Sequence, residues 1–150
     1  MSKMEKFFDK INPYMTKLAN NPTLKGISSG MMGSIVVTLV GSLCLLLAVF
    51  PIDAVKNTVE ALGLQTVFFA INSVTIGCLA LYIVVLVTNS LVKSYNPNED
   101  GLSAAVIGLL SFFIVTPLGV TVDEVTAIPT TWLGAAGVFS ALIISIITAK

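Results

Sequence analysis

Four long windows of this sequence contain no charged side chain: residues 26–52, 61–92, 101–122 and 125–149, with 27, 32, 22 and 25 residues. A helix that crosses the hydrocarbon core of a bilayer needs about 20 mainly apolar residues. All four windows clear that length. The composition agrees, because only 11% of the side chains are charged and 55% are hydrophobic, whereas a soluble domain carries about 25% charged residues. The expected fold is therefore all-α and integral to a membrane: an N-terminal amphipathic interfacial helix plus four transmembrane helices. Residues 1–22 form the interfacial segment and residues 23–150 the four-span region. The first window is not read as a secretory signal. Polar and amphipathic residues precede it as far as Lys25, and it exceeds the apolar core of about 7–15 residues that signal peptides carry.

Lysine placement orients the spans. Lys3, Lys6, Lys10, Lys17 and Lys25 precede the first window, Lys56 lies in the first connection, Lys93 in the second, and Lys150 ends the chain. Positive residues collect on the cytoplasmic side. A cytoplasmic N-terminus puts seven lysines inside and Lys56 alone outside, so the chain is read as multi-pass with both termini in the cytoplasm. The eight lysines balance eight acids and there is no Arg or His. No net charge or Arg draws the chain to nucleic acid. Without His, no nucleophile–base pair or metal site suggests itself, and no cofactor is implied. Cys44 and Cys78 are single thiols in apolar stretches, which are usually inert. No charge lies within any span, which counts against a self-sufficient proton-coupled carrier.

Within the first segment Met4, Phe7, Phe8, Ile11, Met15 and Leu18 recur at helical spacing, with lysines largely between them. Such a helix suits the bilayer interface; a cytosolic cap packed on protein is the alternative. Pro13 should kink or divide it. Asn20-Asn21-Pro22 stops it, and Thr23 is positioned to cap the next helix. In the first span Gly26, Gly30, Ser34, Thr38 and Ser42 step by four, and in the fourth Gly137, Ala141, Ser145 and Ala149 do the same. Small residues let helices approach closely in lipid. Helix packing is the favoured reading over a pore-lining stripe, and the first and fourth spans are expected to make close contacts through these faces.

The second span is expected over Thr66 to Val92, with Ala70, Ser73, Gly77 and Ala80 as its small-residue face. Asn72 is the most polar side chain well inside any span. A helix–helix hydrogen bond is its favoured role and a substrate contact the weaker one. The segment from Lys93 to Gly101 concentrates turn formers and charge, and Tyr95 there suits the headgroup layer. The third span, from about Leu102 to Val115, meets Thr116-Pro117-Leu118-Gly119. Trp132 sits at the mouth of the fourth span, where an indole belongs.

Four stretches together resemble one family. They are Leu18-Ala-Asn-Asn-Pro-Thr-Leu-Lys25; Leu39-Val-Gly-Ser-Leu-Cys-Leu-Leu-Leu-Ala48 before Pro51; Thr75-Ile-Gly-Cys-Leu-Ala-Leu-Tyr82 followed by Ser90-Leu-Val-Lys-Ser-Tyr95; and Trp132-Leu-Gly-Ala-Ala-Gly-Val-Phe-Ser-Ala-Leu-Ile-Ile144. Their order and spacing resemble the N-terminal part of the membrane component, IIC, of the lactose/cellobiose family of sugar phosphotransferase systems. The resemblance implies a permease in a bacterial cell membrane. It implies import of β-linked disaccharides such as cellobiose, chitobiose or lactose, coupled to phosphorylation by a IIB subunit. It also implies a homodimer in the lipid bilayer, with the N-terminal part contributing scaffold and dimer contacts. The family's sugar site, with its His and Glu, lies mainly in the C-terminal half and maps onto no residue here. The chain is accordingly expected to be an N-terminal fragment without catalytic residues. Two other readings stay open: an independent four-span carrier or channel, and a non-transporting membrane adaptor.

Overall fold

The structure, a computed structural model, describes residues 12–13, 16–17, 19–116, 120–122, 125–127 and 130–150. Phe7, Phe8 and Ile11, the expected interfacial anchors, lie outside the described residues. Among the described residues the fold is helical apart from a two-stranded ribbon. It comprises α1 (Pro22–Ala48), α2 (Asp53–Ala61), α3 (Leu64–Thr75), α4 (Leu79–Tyr95), α5 (Gly101–Val115), β1 (Val120–Val122), β2 (Val125–Ala127) and α6 (Val138–Thr148). Short 3-10 turns at Thr130–Trp132 and Ala135–Gly137 lead into α6.

The start of α1 is set by proline chemistry. Pro22 takes the first helical position, where its missing N–H costs nothing, and it holds the preceding residue in extended backbone. Asn21 is extended accordingly, and its side-chain oxygen accepts from the Thr23 amide at 3.0 Å. The cap is therefore Asn21 rather than the expected Thr23. The Thr23 hydroxyl is instead 2.7 Å from the Tyr95 hydroxyl, tying the start of α1 to the end of α4. At about 1.5 Å per residue, the 27 residues of α1 extend for about 40 Å. Among the described residues α1 alone is long and apolar enough to cross a membrane as a single straight helix, and α3 with α4 qualifies as a bent pair.

The second apolar window is not one continuous helix. It breaks at Ile76-Gly77-Cys78, where the chain bends by 43°. Beyond the break α4 is the central element. Ala80, Ile83, Val84, Val87 and Leu91 are buried, and Phe112 from α5 and Ala141 and Ile144 from α6 complete the core around them. Helix α1 packs against both α3 and α4, while α5 and α6 cover other sides of α4.

The small-residue faces of α1 and α6 both meet a third helix. The two small-residue faces both dock on α4 rather than on each other. A Cβ on Gly30 would lie 2.5 Å from the Val87 Cα, and one on Gly26 would lie 2.9 Å from the Leu91 Cα. The α1 face also departs from strict steps of four. Its buried positions are Gly26, Gly30, Ser34, Gly41 and Ala48, and Ser42 is exposed. Each step of four overshoots one turn by about 40° at 3.6 residues per turn, whereas a step of seven drifts by only about 20°. Spacing of seven therefore keeps α1 facing its partners after Ser34.

The remaining surface is strongly apolar. Met32 and Val36 on α1 are each 65% exposed, and Ile114 and Phe139 about as open or more so. Patches of this kind mark a lipid or protein contact.

Candidate functional site

The helix break is the structure's most distinctive polar feature. Asn72, in the last turn of α3, donates its side-chain amide to the Gly41 carbonyl of α1 at 3.1 Å. Gly41 permits that approach, because a Cβ there would collide with the Thr75 hydroxyl and meet Ile76 at 2.8 Å. The Thr75 hydroxyl itself donates to the Ile71 carbonyl at 2.7 Å. Past this point the ladder opens. The amides of Ile76 and Gly77 both reach the Asn72 carbonyl, at 2.9 and 3.4 Å. The Ala80 amide, in the first turn of α4, has no carbonyl behind it in its own helix. It donates at 2.8 Å to Leu133, in the segment between the two 3-10 turns.

Backbone groups freed at a helix break need protein or water to take them up, and the Leu133 carbonyl does so for the Ala80 amide. An open cleft of about 490 Å³ lies at the break, between Asn72, Ser73, Gly77 and Cys78 on one side and Thr131, Gly134 and Ala135 on the other. Gly77 is required by close approach, since a Cβ would strike the Ser73 carbonyl. Gly134 lets its segment lie against the carbonyls of Ile76 and Gly77, with a Cβ meeting them at 3.5 and 3.3 Å.

The other residues singled out from the sequence fall as follows. Gly26, Gly30 and Ser34 are buried along α1, and the Ser34 hydroxyl donates within its own helix to Met31. Gly137, Ala141 and Ser145 line one buried face leading into and along α6. Ser145 donates to the Ala141 carbonyl at 2.7 Å and lies 3.4 Å from that of Val84 on α4. The α1 and α6 sets are thus not brought together. Tyr95 is half-buried with its hydroxyl on Thr23, and Trp132 is exposed at the end of a 3-10 turn. Sequence reasoning missed Gly41 and Gly108. A Cβ on Gly108 would lie 2.9 Å from the Thr88 hydroxyl, which is buried without a hydrogen-bond partner. Spacing of seven from Ser34 would have found Gly41.

Outside the spans, Asp100 starts α5. Its carboxylate accepts from the Leu102 amide at 3.1 Å and from the Ser103 hydroxyl at 3.0 Å. These bonds, the Leu102 amide first, hold its pKa below the ordinary carboxylate value.

Similarity to known proteins runs through most of this scaffold. Across 95% of the chain, it is 26% identical to the cellobiose-specific EIIC component of a PTS system from Geobacillus stearothermophilus. It is 28% identical, over 87% of its length, to a galactose-specific EIIC component from Lactococcus lactis subsp. cremoris. It is 26% identical, over 95%, to an oligo-beta-mannoside-specific EIIC component from Bacillus subtilis. The chain is similar to PTS EIIC components. It spans about a third of the length of these relatives, with 34%, 29% and 34% of each covered. No family model and no solved structure matches it. Helix α1 is long and apolar enough to cross a membrane.

Proposed function

We propose that the chain forms the N-terminal scaffold and dimerisation part of a phosphotransferase-system sugar permease. The intact system imports a β-linked disaccharide of the cellobiose, chitobiose or lactose type, with phosphorylation coupled by a IIB partner. The observation that carries this reading is the similarity to three EIIC components over 87–95% of the chain. The described structure supports a scaffold role: its polar side chains in the helices largely donate to backbone carbonyls, and its outer faces are apolar. In this reading α1, the bent α3–α4 pair, α5 and α6 are the four spans, with the N-terminus and the loop after Tyr95 cytoplasmic. Gly26, Gly30, Ser34, Gly77, Gly137, Ala141 and Ser145 serve helix packing, and Tyr95 and Trp132 sit at opposite interfaces. Asn72 holds α3 to α1 and does not grip sugar. The exposed α1 face is available to a second copy.

The test compares membranes of the host with and without this coding sequence for IIB-dependent phosphorylation of labelled cellobiose, chitobiose and lactose. Loss of at least one activity is expected, and unchanged phosphorylation of all three overturns the permease reading. Cysteines introduced at Asn57 and Asn98 should label from outside and only after permeabilisation, respectively. The reverse pattern overturns the topology.

A further inference from the structure

On the lysine-rich side, a second crevice of about 460 Å³ opens between the start of α1 and the end of α4. It is lined by Lys25 and Ser29 from α1 and by Ser90, Lys93 and Ser94 from α4, with Asn20 at its edge. Two lysines distant in sequence thus face one space. Among the described residues, neither ammonium has a hydrogen bond or a carboxylate ion pair. Asp100 feels Lys93 only as the weakest of the influences on its carboxyl. The Thr23–Tyr95 bond fixes the two helix ends that carry these groups.

The surface below the crevice is of the opposite character. Lys25, Ser29, Met32 and Val36 follow one another at steps of four, three and four, so they form a single stripe down α1. Met32 and Val36 are the strongly exposed apolar residues noted above. Beside them Gly33 lies close to Leu86 of α4, whose side chain a Cβ would meet at 3.3 Å. From Lys25 to Val36 the stripe extends for about 16 Å, close to half of an apolar core about 30 Å thick. A cationic, hydroxyl-lined crevice above an apolar stripe about one leaflet long matches one kind of molecule.

We infer that this crevice is a binding site for an anionic phospholipid. Its phosphate sits between Lys25 and Lys93 with the Ser29 and Ser90 hydroxyls as donors, while Ser94 donates to the Ser90 carbonyl, and an acyl chain lies along Met32 and Val36. Basic pockets between membrane helices on the cytoplasmic side bind anionic headgroups in this way. The inference rests on reading α1 as a span whose lysine-rich end is cytoplasmic.

The experiment is native mass spectrometry of the full chain in detergent, titrated with phosphatidylglycerol or phosphatidylcholine. Phosphatidylglycerol should bind more tightly. Lys25→Gln and Lys93→Gln should each weaken it by about fivefold, and the double variant by about twenty-five-fold. Lys25→Arg and Lys93→Arg should retain binding. Lys150→Gln, outside the crevice, should match the parent. Equal affinity for the two lipids, or parental binding by the double Gln variant, overturns the proposal. So does displacement of phosphatidylglycerol by inorganic phosphate at equal concentration, which would mark a free-anion site. Unchanged thermal unfolding in phosphatidylcholine shows that the variants are folded. Resistance of the chain to carbonate extraction from membranes tests the span reading separately, so a missing lipid preference in an inserted chain condemns this inference alone.

Discussion

Adding one methyl group to Gly30 should separate α1 from α4. A Cβ at that position would lie 2.5 Å from the Val87 Cα and 2.8 Å from both the Val87 amide nitrogen and Cγ2. Carbon pairs prefer about 3.5–4.0 Å, and two of these three neighbours are backbone atoms that no rotamer change can move. The helices must therefore part by about 1 Å. Overpacking of this kind costs about 1–3 kcal/mol, against a helix-propensity gain of about 1 kcal/mol for replacing Gly by Ala. Gly33 supplies the internal reference. It lies on the same helix, receives the same propensity gain, and would meet only the end of the flexible Leu86 side chain, at 3.3 Å. Comparing Gly30→Ala with Gly33→Ala cancels the propensity contribution and leaves the overpacking, about 1–3 kcal/mol. The assay is reversible unfolding of both variants and the parent in mixed micelles. Gly33→Ala should equal or exceed the parent and Gly30→Ala should fall below it. Equal stability of the two variants would refute the close α1–α4 contact.

Three further outcomes are expected. Asn72→Leu removes the bond to Gly41 and should lower stability by about 0.6–2 kcal/mol; the same unfolding assay checks it, and a variant as stable as the parent would show that the bond contributes nothing. Thr88→Val should stabilise by about 1 kcal/mol or more, because it replaces a buried hydroxyl that has no partner, and any loss of stability would mean that the hydroxyl is satisfied. Asp100 titrates below the ordinary carboxylate value when folded, so its contribution is present above that value and is lost as pH falls through the lower one; Asp100→Asn should flatten this acid limb in pH-dependent unfolding, and an unchanged limb would assign it to another group.

Much of the helical layout is legible in the charge pattern. Lys25 and Asp53 bracket a window that overlaps α1 with an offset of four residues at each end, and Asp100 marks the start of α5 to the residue. These boundaries are local: a charge leaves the apolar layer, and a short polar side chain caps the next helix. The break at Ile76-Gly77-Cys78 is less legible, because it contains no proline and one glycine is tolerated in a helix for about 1 kcal/mol. What opens the ladder there is tertiary. The Ala80 amide finds the Leu133 carbonyl, more than fifty residues on, and no periodicity within residues 61–92 encodes that partner. The clefts follow the same logic. Asn72 stands out by its polarity, but its juxtaposition with Thr131 and Ala135 depends on how the segment before α6 folds back. Lys25 and Lys93 read as ordinary members of a cytoplasmic lysine count until α1 and α4 are placed side by side.

The break also explains how one pair of helices stays in contact over so much length. Two straight helices packed through their ridges cross at an angle and diverge on either side of the crossing point. Helix α1 instead contacts α4 at Gly26 and Gly30 and α3 at Gly41, a separation of about 22 Å along its axis at 1.5 Å per residue. A straight second span could follow α1 at one of these ends. With a 43° bend, the α3–α4 pair turns at the level where a straight partner would begin to leave, and the Asn72–Gly41 bond secures the outer arm. The inner arm is then free to be packed by α5 and α6 on its other sides. The glycines at both ends of α1 and the unwound residues between α3 and α4 are therefore parts of one device. It builds one continuous seam from apolar helices through glycine contacts and a single side-chain hydrogen bond.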